Sequence, residues 1–357
     1  MVSIQKSLSL RCDGISDRNG GITLSIPFNF VNGGEILYNR QKAWLESKGK
    51  EANAMARELF IYLNGDIMEE GQARISPFDR GFLWGDGVYE ITPCFNRRLY
   101  RLPDHLERLY RSLRYVRIDP GMKREEMEKV TLDLLQTNIS RLEEEGVYRV
   151  GHWVTRGMDS TTMAAREAGP ATVFIFWRPV KIEAFAHFYA EGVKLMVVPT
   201  HRTPPQCVET RAKVTSKMNQ ILAELDADAS GGLSLMLDIH GNVAENSTAN
   251  FFIVREGVLW TPPARNILEG ITRKAVIEFA LRLNIPFEER NFTMYDIAQA
   301  EEFFLTTSSA CALPVREVDG YRPKTSIPGP ITRRLMSAFI EETGFDFHKY
   351  LKTASKS

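Results

Sequence analysis

Hydrophobic positions along this chain change their period several times, and each change marks an element. From Leu59, LFIYLNGDIMEE alternates on either side of an Asn-Gly pair, which predicts two strands joined by a tight turn. GVYEITPCF and RRLYRL predict a second hairpin. Asp104 is placed to cap a helix, and Leu106, Leu109 and Leu113 then recur at the spacing of one helical face. A second helical pattern covers residues 123–144, and VYRVGHWVT and ATVFIFWRPV read as strands, so the first part of the chain is α+β. Farther on, strands (GVKLMVVPT, LSLMLDI, NFFIVREG, FEERNFT, EEFFLTT) alternate irregularly with helices over residues 213–228, 272–284 and 330–343. That order is not the regular strand–helix repeat of a doubly wound parallel sheet.

The pattern divides the 357 residues into four parts. Residues 1–57 are polar, with one weakly helical stretch (YNRQKAWLESKGKEANAMA), and read as an accessory extension in which Met55 could serve as an alternative start. Residues 58–178 form a small α+β domain, 179–188 an interdomain connection, and 189–357 a larger domain.

Charge and composition narrow the function classes. Lys+Arg and Asp+Glu both number 45, so a broad basic face for nucleic acid is not expected. A small cationic pocket remains compatible with that balance. Cys12, Cys94, Cys207 and Cys311 are scattered without a C-x-x-C pair, as in a protein with reduced thiols. No apolar run reaches the roughly 20 residues of a membrane span. The N-terminus lacks the apolar stretch of a secretory signal. A cytoplasmic protein is expected, with no membrane and no nucleic-acid partner. Neither G-x-G-x-x-G after a strand nor G-x-x-x-x-G-K-[ST] occurs, so nicotinamide and P-loop chemistry have no support. No metal-ligand spacing is apparent either.

A few residues could carry chemistry. Lys213 stands just before a predicted helix, where a desolvated amine can form an imine with an aldehyde. Lys217, four residues on, is chemically equivalent, and local sequence does not choose between them. Glu245 follows a Gly-Asn turn and begins a strand, a position from which a carboxylate could meet a protonated pyridine nitrogen. Gly270, Ile271 and Thr272 stand at a helix start, where free N–H groups favour a phosphate. Thr306, Thr307, Ser308 and Ser309 end a strand in a run of hydroxyls, and Arg108 could add a cation. Taken singly, each is an ordinary turn, cap or solvated charge.

Their order is more telling. RGFLWGDGVYE, DHLERLYRSL, the lysine segment, GNVAENSTANFFIV, ILEGITR and EEFFLTTSSACALPV follow one another over roughly residues 59–320. In this order they resemble the class IV, or fold-type IV, pyridoxal-phosphate aminotransferases: branched-chain and D-amino-acid aminotransferases, (R)-amine transaminases and aminodeoxychorismate lyase. The resemblance implies a mixed α+β protein, with a small N-terminal domain and a larger pseudo-barrel domain that binds pyridoxal 5'-phosphate. Lys213 looks like the Schiff-base lysine, since Leu222, Ala223 and Ala227 then fall on the family's L-A-x-x-E-A helix, with Asp226 in the Glu place. Glu245 matches the partner of the pyridine nitrogen. Arg108, Ile271, Thr272 and Ser308 match phosphate ligands. Ser309 and Ala310 match the turn whose amides face a substrate carboxylate, and Tyr89 matches an active-site wall. The implied reaction is ping-pong transfer of an amino group, through pyridoxamine phosphate, between an amino acid or (R)-primary amine and a 2-oxo acid. A lyase ending in β-elimination is the alternative, and a homodimer is implied too.

Subfamily markers disagree. VYEITPCF replaces the V-F-E-G-I-R-A-Y of branched-chain enzymes, and no G-G-N-Y follows Lys213. VTRGMDSTTMAAREAG lacks the Arg-x-His of D-amino-acid enzymes, yet the G-D-G-V-Y-E form that (R)-amine enzymes tend to lack is intact. Arg149, Arg156 and Arg166 are therefore all candidates for a substrate carboxylate, and Trp84, Tyr89, Phe95 and Trp153 for an apolar pocket. His105 and His152 read as structural.

Overall fold

A computed structural model describes residues 58–159 and 164–349. The expected extension over residues 1–57, with its weakly helical stretch and Met55, lies outside the described residues. Two sheets organise the rest. The first contains β1 (Phe60–Leu63), β2 (Asp66–Glu69), β3 (Gly87–Phe95), β4 (Arg98–Leu99), β5 (Val147–Thr155) and β6 (Thr172–Pro179) in the order β2-β1-β6-β5-β3-β4. All of its pairings are antiparallel. The Asn64-Gly65 turn takes positive φ at both residues, as a two-residue hairpin loop requires.

Helices α1 (Arg80–Trp84), α2 (Leu102–Val116) and α3 (Arg124–Asn138) accompany this sheet. The sequence did not predict α1, a single turn in which the Asp79 side chain caps the Gly81 N–H. The α2 start differs from expectation. The helix begins at Leu102 because Pro103, with its fixed φ, suits the first turn. Asp104 lies inside that turn and pairs with Lys274 at 2.7 Å instead of capping. Leu102, Leu106, Leu109 and Leu113 of α2 are buried against the sheet, each contributing roughly 1.5–3 kcal/mol.

Helix α4 (Glu183–Glu191) follows β6, and the second sheet begins after it. Its strands are β7 (Val193–Val197), β8 (Leu233–Leu235), β9 (Asn250–Arg255), β10 (Val258–Thr261), β11 (Phe287–Glu289), β12 (Glu302–Thr307) and β13 (Cys311–Val318). The order is β11-β10-β9-β12-β13-β7-β8, with parallel pairs at β10–β11, β13–β7 and β7–β8. Continuous apolar runs such as Phe251–Val254 suit these central strands, which are buried on both faces. Helices α5 (Met218–Asp228), α6 (Ile271–Arg282), α7 (Met294–Ile297) and α8 (Pro330–Thr343) complete this part. Glu302 of β12 accepts N–H bonds from Ile331 and Thr332 at 2.8 Å and so holds the start of α8.

The main core lies on the second sheet and takes in Phe95, Tyr100 and Val147 from the first. Phe95 stacks on Phe345 (5.3 Å between centroids) and meets Phe339 edge-on (5.7 Å). Its place is therefore in the core and not in a substrate pocket. Among the described residues no helix is long and apolar enough to cross a membrane. Cys94 and Cys311 are buried free thiols and Cys207 is exposed.

Candidate active site

A cavity of about 540 Å³ opens between the first sheet and the loops of the second. Lys213 reaches it from an extended segment, not from a helix start. Tyr89 N–H donates to the Lys213 carbonyl at 3.0 Å, and Thr215 N–H donates to Gly87 O at 2.9 Å, so residues 213–215 run along the edge of β3. The β-branched pair Val214-Thr215 favours this extended path, and α5 starts only at Met218. A side chain at Gly87 would meet Val154 O at 2.7 Å, so glycine there permits the close approach. The Lys213 N–H donates to Ser112 Oγ at 3.0 Å.

The Lys213 amine lies 4.6 Å from the centroid of the Tyr89 ring, which rests against Trp153 at 4.7 Å. Lys213 is only part-buried because it faces the cavity, while protein encloses it elsewhere. That enclosure, together with the Arg108 cation, pulls its amine down to about 8. Lys217 also lines the cavity. Its amine is 5.7 Å from the same ring and donates to Ser247 O at 3.3 Å.

Glu245 forms the opposite pole. Gly241 supplies the positive φ of the preceding turn. The strand expected to start at Glu245 starts instead at Asn250, because Asn246 N–H bonds Ala249 O at 2.9 Å and closes a turn between them. The buried Glu245 carboxylate accepts from Arg202 Nε at 2.8 Å, from Asn250 Nδ2 at 2.9 Å and from Leu268 N–H at 3.1 Å.

The third pole lies at the start of α6. Arg108 is buried and clamped by Glu90, through Nε at 2.8 Å and Nη2 at 2.7 Å, while Nη1 donates to Glu269 O at 2.7 Å. Burial alone would raise the Glu90 carboxyl. Arg108 and the His105 ring, 3.1 Å away, nonetheless hold it well below the usual range. The bond to Glu269 O places the guanidinium beside Gly270, Ile271 and Thr272, the first residues of a helix with no side-chain cap. Ile271 and Thr272 are buried, and neither they nor Arg108 are on the cavity lining. Ser308, Ser309 and Ala310 do line it. The N–H groups of Ser309 and Ala310 donate to Thr307 Oγ1, at 3.2 Å each, rather than being free.

The three arginine candidates separate. Arg149 is exposed on β5, lines the cavity, and makes no ion pair among the described residues. Arg156 is taken up by Asp86 at 2.8 Å and by the carbonyls of Val116 and Arg117, which removes it as a carboxylate trap. Arg166 is exposed and pairs with Glu167. Trp84 is half-exposed and off the lining, and Trp153 acts only through Tyr89. Sequence reasoning missed Glu90, Ser112, Arg202 and Asn250. Ser112 had a signal, one helical turn beyond Arg108. Arg202 had none, since it sits in an irregular loop 43 residues before its partner.

The profile described as amino-transferase class IV matches residues 87–318. The chain belongs to this family. A putative branched-chain-amino-acid aminotransferase of Methanocaldococcus jannaschii is 34% identical over 281 residues, covering 78% of this chain and 94% of its own length. A D-alanine aminotransferase of Staphylococcus haemolyticus is 28% identical over 303 residues, covering 83% and 99%. Among solved structures, the branched-chain aminotransferase of Thermoproteus uzoniensis with norvaline superposes with a TM-score of 0.73 at 30% identity, covering 83% and 98%. The T.th. branched-chain amino acid aminotransferase complexed with N-(5'-phosphopyridoxyl)-L-glutamate gives 0.73 at 26% identity, covering 82% and 96%. Membership makes the protein an aminotransferase of mixed α/β fold, and does not favour the lyase alternative.

The donor set fits a phosphorylated pyridine aldehyde. One lysine amine of lowered basicity, one carboxylate and one cation beside an uncapped helix start are what an aldehyde, a ring nitrogen and a phosphate respectively need. The backbone at the phosphate end is also specific. A side chain at Gly270 would come within 2.0 Å of Asn250 Oδ1, so the helix start and the Glu245 pole close on one another only with glycine there.

Proposed function

We propose that this chain is a pyridoxal-phosphate transaminase in which Lys213 is the covalent anchor and proton carrier. The observation that carries the reading is a lysine amine lowered to about 8 in the same cavity as the buried Glu245. Arg108, the first amides of α6, Thr272 and Ser308 would hold the phosphate. Glu245 would hold the ring nitrogen. When bound, the cofactor supplies an electron sink for the pair left as a Cα–H bond breaks.

The chain's own groups do the rest. Lys213 Nζ, brought down to about 8 and so uncharged above that pH, takes the proton from the substrate Cα and returns it on the other side of the transfer. The Tyr89 ring walls the amine on one side and limits where it can move. The clamp of Glu90 on Arg108 fixes the phosphate end against Lys213, so that proton transfer occurs over a set distance. Arg149, the arginine on the wall without an ion pair among the described residues, meets the substrate carboxylate, with the Ser309–Ala310 turn opposite.

The substrates are a small amine or amino acid and a 2-oxo acid. The reading includes a homodimer in the cytoplasm, and the exposed Phe78, Phe82 and Trp84 on and beside α1 support a subunit contact. The small domain 58–178 and the large domain 189–357 would then carry the two walls of the site. Pairing L-leucine, D-alanine and (R)-1-phenylethylamine with pyruvate or 2-oxoglutarate tests the reading. Amino transfer from one of them in the presence of pyridoxal phosphate is expected, and no transfer from any, by protein that binds no pyridoxal phosphate, overturns it.

A further inference from the structure

Glu245 carries the ring-nitrogen role in the reading above, yet it is not self-supporting. It sits in an isolated bridge with Asn250, not within a strand, and three groups from other residues hold its carboxylate. Two of them, Asn250 and the Leu268 N–H, are neutral. The third, Arg202, is charged and nine-tenths buried, and its own backbone is fixed by a 2.8 Å bond from its N–H to Leu237 O. Only its Nε–H is spent on Glu245 Oε1; among the described residues nothing accepts from Nη1 or Nη2, and the residue lines the cavity.

We propose that Arg202 is the positioning residue for Glu245, fixing the carboxylate by its Nε–H so that one anionic oxygen edge is presented to the cofactor ring nitrogen. This rests on the reading of Glu245 as the ring-nitrogen partner. Two physical arguments support it. Asn250 holds Oε2 and the Leu268 N–H is shared between the two oxygens at 3.1 and 3.3 Å, so the charge-assisted 2.8 Å bond from Arg202 is the shortest hold on Oε1 and, with the donors on Oε2, fixes the carboxylate. The cation also acts at a distance. Arg202 is among the charges that lower the Lys213 amine, after burial and Arg108, so its removal raises the basicity of nitrogen at Lys213. Both ends of the bound ring thus feel one arginine.

The test uses the full chain with pyridoxal phosphate and four proteins: wild type, Arg202→Met, Glu245→Gln and the double variant. The first readout is cofactor retention on dialysis. The second is the pH titration of the bound cofactor's visible absorbance, which a merely structural residue would not move. Arg202→Met is expected to weaken retention about tenfold and to raise the apparent pKa of the bound chromophore. The double variant is expected to retain cofactor no worse than Glu245→Gln alone, because Arg202 acts through Glu245. Wild-type retention and titration in Arg202→Met, or retention losses that simply add in the double variant, overturn the inference while leaving Glu245 in place. Wild-type behaviour of Glu245→Gln instead overturns the reading of Glu245, and the inference with it. Should Arg202→Met fail to fold, Arg202→Lys keeps the charge without the directed Nε–H. Weakened retention with a wild-type titration then supports the inference, and wild-type retention overturns it.

Discussion

The hydroxyl of Ser112 accepts the backbone N–H of Lys213 at 3.0 Å while donating its own proton to the carbonyl of Arg108 at 2.9 Å. One buried oxygen therefore ties the lysine to the helix that carries the arginine. Arg108 and Ser112 are four residues apart on α2, on the same face, so the helix sets the spacing between the proposed anchor for an aldehyde and the proposed cation for a phosphate.

Ser112→Ala should leave the Lys213 N–H without its acceptor, at a cost of about 1–3 kcal/mol in stability. It should also slow adduct formation at Lys213, because the segment 213–215 would lose its tie to α2 and keep its bonds to β3 and Gly85. Thermal melting gives the first effect and the rate of appearance of visible absorbance on adding pyridoxal phosphate gives the second. Equal capture rates in variant and wild type would show that Ser112 stabilises the fold without placing the lysine.

Both lysines of the segment reach the cavity and the same tyrosine ring, so chemistry must separate them. Lys213 has the lowered amine, so it should form the borohydride-stable adduct. Lys213→Ala should abolish that adduct and Lys217→Ala should keep it, as read by mass spectrometry of the reduced peptide. Adduct mapped to Lys217 in the wild type would transfer the anchor role.

Much of this was legible beforehand for a physical reason. Hairpins and amphipathic helices are written in local periods, so β1–β2, α2 and α8 could be read from the residues that form them. Lys213 and Glu245 were singled out by motif order, and both face the same cavity. What local patterns do not encode are partners across the fold. Glu90 clamps an arginine 18 residues away, Arg202 a glutamate 43 away, and Ser112 a lysine 101 away. The start of α5 was misplaced because Val214 and Thr215, which can be fitted to a helix by count, instead pair along β3. Arg149 and Arg156 are indistinguishable as residue types. Asp86 and two carbonyls beside the second, and the cavity beside the first, separate them.

That separation makes a kinetic prediction. Arg149→Met should raise KM for the 2-oxo acid about tenfold or more with a smaller change in kcat, since a cation on the cavity wall binds substrate and transition state alike. Arg156→Met should instead lower stability, because it strips Asp86, itself part-buried, of one of its two arginines. Steady-state kinetics and melting temperatures on both variants check this. An Arg156 variant with raised KM and unchanged stability would reverse the assignment.

His152 should make the fold sensitive to mild acid. Thr131 Oγ1 donates to Met127 O at 2.7 Å, so at the 2.9 Å contact between Thr131 and His152 it is the ring that donates, from Nε2. Nδ1 has no hydrogen-bond partner among the described residues, and burial pushes the ring down from 6.5 to about 4. The sign follows from linkage: between pH 6.5 and 4 the unfolded chain binds a proton that the folded chain refuses, so stability falls as pH falls, by about 3 kcal/mol across the window. Glu90, whose carboxyl is held well below 4.5, begins to lose its own contribution as pH falls below about 5, so the His152 slope is read above that pH. Urea unfolding from pH 7 to about 5 should show this slope in the wild type. His152→Gln should be less stable at pH 7 but flatter over the same interval. An equal slope in the variant would place the acid sensitivity elsewhere and remove His152 as its source.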